Sequence, residues 1–64
     1  MNFCALQRST GERVLVNLDN LTHVDELGEG CVISFVGSDE RLAVKESAKF
    51  LVTLLERLGT RIVR

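Results

Sequence analysis

Proline is absent from this chain, cysteine is scarce, histidine occurs once, and no repeat or low-complexity segment interrupts the 64 residues. With nothing to mark a linker, the sequence reads as one small domain over 1–64. Cys4 and Cys31 stand 27 positions apart with no export signal ahead of them, a poor match to the dense disulfide frameworks of small secreted domains. They are expected to be free thiols packed inside apolar runs. His23 is the only other soft ligand, and no Cys-x-x-Cys or His-x-x-x-His spacing is present to build a closed zinc site. Neither a metal nor a cofactor is expected. No run approaches the roughly 18 apolar residues of a membrane span, so a cytoplasmic location without membrane association is expected. Eight Lys and Arg against nine Asp and Glu give a formal charge of −1, without the positive field that drives phosphate binding. General nucleic-acid binding is disfavoured on that ground.

Domains this short bury only about 60% of the surface their unfolded chain exposes. A disulfide, a metal or a partner chain usually supplements so small a core. With the first two set aside, a partner remains, and a homodimer or higher homo-oligomer is the expected state.

Three clusters of turn formers divide the chain: Ser9-Thr10-Gly11-Glu12, Gly28-Glu29-Gly30 and Gly37-Ser38-Asp39-Glu40. The gaps are too short for parallel crossovers, so the runs between them should be antiparallel neighbours. Asn2 to Gln7, Arg13 to Asn17, Leu21 to Leu27, Cys31 to Val36 and Arg41 to Lys45 are the expected strands, five in a meander over about 2–45. Leu18-Asp19-Asn20 is the weakest boundary, either a tight corner or a bend within one long strand. Alternation sets Cys31, Ile33 and Phe35 against Val32 and Val36, and Leu15 against Val14 and Val16. Apolar residues on both faces imply cover on both.

Ala48 to Leu58 is an uninterrupted stretch of helix formers, with Ser47 placed to cap its start and Gly59 to close it. A helix over about 47–58 and a tail over 59–64 are predicted, although Lys49 sits unfavourably at the positive end of the helix dipole. At about 100 degrees per residue, its apolar side chains cover an arc of roughly 200 degrees, with Phe50 and Val52 at the margins. A helix lying on one sheet needs a narrower stripe. The fold class is therefore α+β, an antiparallel meander followed by one C-terminal amphipathic helix packed on the sheet.

Little in this pattern carries chemistry. His23 and Asp25 alternate onto one side of a strand, the geometry from which a general base is made, yet no nucleophile is fixed beside them and a sheet this small has little room for a water-excluding cleft. No catalytic residue is assigned. Gly28-Glu29-Gly30 joins two strands instead of opening onto a helix, so it reads as a hairpin turn and not as a phosphate cradle. The acids Asp25, Glu26 and Glu29 gather at that hairpin without the ligand ladder of a calcium loop. Arg57, Arg61 and Arg64 form an acid-free end, read as solvated, with phosphate contact as its alternative role.

The segment Val14-Leu15-Val16-Asn17-Leu18-Asp19-Asn20-Leu21 and the step Leu42-Ala43-Val44-Lys45-Glu46-Ser47 into an apolar helix together resemble the small flagellar FlbD type of protein over nearly the whole chain. That resemblance implies a bacterial accessory or regulatory protein without enzymatic activity. From about Arg13 to Leu58 the order of strands and helix is also similar to the LytTR DNA-binding domain. The LytTR pattern continues past its helix into further basic strands, which do not follow here. The functional expectation is a non-enzymatic module acting through protein–protein interaction and self-association, with a nucleic-acid-binding regulator as the alternative. The surfaces expected to make the contact are Phe50, Val52, Leu55, Ile62 and Val63 on the helix and tail, and Val14, Val16, Val32 and Val36 on the second face of the sheet.

Overall fold

The computed structural model describes residues 2–63. Strands β1 (Phe3–Gln7) and β2 (Arg13–Asn17) form one hairpin, and β3 (Leu21–Leu27), β4 (Gly30–Phe35) and β5 (Arg41–Val44) form a second antiparallel sheet. Helix α1 (Ala48–Arg57) follows. The class is the expected one, with the strands divided between two sheets instead of running as a single ribbon.

The division falls at the boundary left open above. Leu18–Asn20 is a single 3-10 turn, and its entry is held by Asn17, whose side chain accepts from the Asp19 N–H at 3.1 Å. Asp19 in turn accepts from the backbone and side-chain nitrogens of Asn2, both at 3.2 Å. Short polar side chains that bond their own backbone favour a corner over a continued strand, so the chain turns here and carries Leu18 into the core.

The other corner joins the sheets through backbone. Arg8 and Val44 form an isolated antiparallel bridge, flanked by Ser9 N–H to Ala43 O (3.0 Å) and Lys45 N–H to Gln7 O (2.8 Å). One residue further on, the Glu46 carboxylate accepts from the Gln7 N–H at 3.0 and 3.2 Å. A side chain thus takes the place of the next ladder bond, and the chain leaves the sheet for the helix without stranding that donor.

Each layer contributes to one core: Leu6 from β1, Val16 from β2, Leu18 from the turn, Cys31 and Ile33 from β4, Val44 from β5 and Leu51 from α1. Leu51 lies at the centre of the helix's apolar arc and is 1% exposed, so the arc's midline faces the sheets, while Phe50 at one margin is left exposed. The caps fall where sequence places them. Ser47 Oγ accepts from the Phe50 N–H at 3.1 Å. Gly59, at φ 92°, closes the far end, with Gly59 N–H bonding Glu56 O and Thr60 N–H bonding Leu55 O, the double bond of a Schellman motif. Ser47→Ala is expected to cost about 1 kcal/mol, read as a lower urea midpoint with an unchanged slope.

Candidate functional site

Pairing across the first hairpin decides which side chains are available. Cys4 faces Val16 and Leu6 faces Val14 on the inner side, while Ala5 faces Leu15 and Phe3 faces Asn17 on the outer side. Val16 is therefore a core residue at 3% exposure and Val14 is half-buried against that core. This corrects the assignment of Val14 and Val16 to an uncovered face. Leu15, at 70% exposure, is the residue turned outward. Sequence alternation separates the two sets but does not say which one is inside, and two valines outweigh one leucine only once the opposing sheet is in view.

The second sheet's outer side is mixed rather than apolar. Val32 is half-buried between Asp25 and Ala43. Val36 lies past the end of β4, exposed, with its N–H donating to Asn20 O at 2.8 Å. Leu27 is also exposed beside the β3–β4 turn, where Gly28 takes φ 59°. That turn joins Leu27 directly to its partner Gly30, a two-residue hairpin loop with glycine first.

On the helix, Phe50 is exposed while Val52 and Leu55 are half-buried. A groove of about 470 Å³ runs between α1 and β3, where Val52, Leu55, Leu58 and Ile62 face Leu21 and Val24. Ile62 is half-buried there and Val63 is exposed; no strand forms over 59–63. Arg57 and Arg61 are exposed, and Arg57 sits in the last turn of the helix, where a cation complements the dipole. Arg64 lies outside the described residues. Four further exposed apolar side chains, Phe3, Leu15, Leu27 and Leu58, lie outside the expected contact set, although the alternation that singles out Val14 and Val16 contains Leu15 as its complement.

His23 Nε2 stands 3.8 Å from Asp25 Oδ2, both side chains are 57% exposed, and His23 Nδ1 is 3.2 Å from Thr22 Oγ1. The imidazole is open to water and lies among the residues lining the groove between α1 and β3. Among the described residues no cluster of three or more His, Cys, Asp or Glu could hold a metal ion, and no helix is long and apolar enough to cross a membrane. Both cysteines are free, Cys31 buried and Cys4 half-buried, and Cys31 Sγ donates to Glu46 O at 3.3 Å.

Burial, and then the Glu46 carboxylate, raise both thiol pKa values above the ordinary 9.0. The thiolate is the nucleophile, and burial disfavours it at both positions. Because the folded pKa is the higher one, their contribution to stability is complete below pH 9 and is lost as pH rises through the folded value. Urea midpoints should be flat from pH 7 to about 8.5 and fall above it, and a Cys31→Ala variant should show a smaller alkaline fall.

Comparison with protein-family models, with curated proteins and with solved structures finds no match to this chain.

Proposed function

We propose that this chain is a non-enzymatic accessory or regulatory protein of the bacterial cytoplasm, acting through protein–protein contact and self-association. The observation that carries the reading is the amount of apolar surface left uncovered. Phe3, Leu15, Leu27, Val36, Phe50, Leu58 and Val63 are each 44 to 83% exposed. Single exposed apolar residues are ordinary, but Leu15 stands on a sheet face beside Ala5, and Phe3 lies two residues along the same strand. An apolar strip of that kind marks a contact surface. The resemblance to FlbD-type proteins agrees with this reading, and so does the open setting of His23 and Asp25.

Sedimentation velocity from micromolar to millimolar concentration tests it. The expected result is a mass that rises with concentration. A monomer throughout removes self-association. A gel shift at low salt that weakens steeply with added salt would instead favour the arginine-bearing end as a phosphate contact.

A further inference from the structure

We infer that the open edge of β2 is the self-association site, where two copies join their β2 strands antiparallel about a two-fold axis through Leu15. The inference rests on the self-association reading above and gives it a place.

Backbone geometry shows which groups are unused. Arg8 N–H donates to Glu12 O and Leu18 N–H donates to Asn2 O, both at 2.7 Å. Within the antiparallel register of this hairpin, hydrogen-bonded pairs alternate with non-bonded ones. The bonded pairs are therefore Cys4 with Val16 and Leu6 with Val14. The N–H and C=O of Arg13, Leu15 and Asn17 consequently point away from β1. Strand β2 pairs with β1 alone, which leaves the N–H and C=O of Arg13 and Leu15 and the N–H of Asn17 open, while the Asn17 C=O starts the 3-10 turn at Leu18–Asn20. A groove of about 230 Å³ runs beside this edge, with Phe35 and Leu42 across from Leu15.

Other edges are occupied or guarded along part of their length. The edge of β1 is taken at its C-terminal end by Lys45 and by the Glu46 carboxylate, and β5 gives its own to Ser9 and Gln7. Strand β3 has a register shift between Leu21 and His23 and carries Asp25 and Glu26, the bulge and charges that blunt an edge against pairing. Strand β2 has no bulge and a single charge, Arg13 at its start, and its centre is Val14-Leu15-Val16.

The occupant follows from the fit of this edge to itself. With Leu15 opposite Leu15 of the second copy, Arg13 falls opposite Asn17 of that copy, and the open N–H and C=O of Leu15 and of Arg13 and the N–H of Asn17 all find partners, the Asn17 C=O being shared with its own 3-10 turn. Shifting the axis to Val14 or Val16 leaves one end unpaired. In the central register Arg13 of each copy lies opposite the uncharged Asn17 of the other. Leu15 and Ala5 of both copies then make a continuous apolar row on the outer face. A contact of this extent is at the small end of specific interfaces, below about 1,200 Å², so the dimer should dissociate on dilution.

Residue-resolved amide exchange on the full chain, at concentrations above and below the sedimentation midpoint, tests the assignment. Leu15 and Asn17 amides should be protected in the concentrated sample and exchange fast in the dilute one, while Val14 and Val16 stay protected in both. Leu15→Pro removes only an outward donor, a change an edge strand tolerates, and should weaken association at least tenfold. Leu15→Lys, which retains the amide and adds an edge guard, should do the same if the proline variant does not fold. An oligomer whose Leu15 amide exchanges fast overturns this site and leaves self-association standing. A monomer at every concentration overturns both, and an edge still open in it would suit a strand of another protein.

Discussion

Replacing Leu51 by alanine is expected to cost about 2–5 kcal/mol, the range for truncating a buried leucine. The side chain is 1% exposed and is the only fully buried one on α1. A domain of this length has about 3–10 kcal/mol of total stability, so the loss takes much of the margin. The helix has no other buried anchor: Leu54, Leu55 and Ala48 are only partly covered, and ten residues do not hold helical structure alone in water. The variant should therefore lose far-UV helical signal together with sheet cooperativity in a urea titration. Phe50→Ala, at a 46%-exposed position, should move the midpoint much less; equal effects would mean that the helix does not sit on its midline.

Gly30→Ala should be nearly as damaging, by about 3 kcal/mol, the upper end of what overpacking costs. A methyl group at this position would run into the carbonyl oxygen of Val44, backbone that cannot give way without separating β4 from β5. The neighbouring turn provides the contrast. Gly28 is at φ 59° with open space where a side chain would go, so Gly28→Ala meets only the left-handed penalty of about 1–2 kcal/mol. Urea midpoints of the two variants check the order. If Gly28→Ala were the worse, turn conformation and not strand approach would govern this hairpin.

That pair also shows what sequence could and could not convey. Gly28-Glu29-Gly30 is legible as a hairpin from composition, but both glycines look alike there, and only the approach of β5 separates a conformational role from a steric one. The helix was legible at both ends because Ser47 and Gly59 act on backbone within a few residues, and its midline because seven apolar positions average to one direction. Strand spans were equally local. The side of β2 that faces inward was not, since it depends on a sheet that begins after the corner at Leu18. Glu46 was hidden for the same reason: it serves Gln7, 39 positions away, and no spacing rule connects them. The surplus of apolar residues was legible, while the site proposed for contact needed the open backbone groups of Arg13 and Leu15, which every sequence has and only a fold can leave open.

The bridge between Arg8 and Val44 bears on the order of events at the ribosome. The first hairpin can form as soon as Asn17 emerges, but the residues that cover its inner side, Ile33, Val44 and Leu51, come much later, and closing that long loop must precede the contacts that repay it. At about 5–20 residues per second, a nascent chain spends seconds with Leu6, Val14 and Val16 uncovered and with the β2 edge bare. Polysomes bring several such chains close together. The edge proposed to join two finished copies is thus also one through which unfinished ones can mispair, and deletion of the segment from Val44 onward should produce an aggregate, read by light scattering.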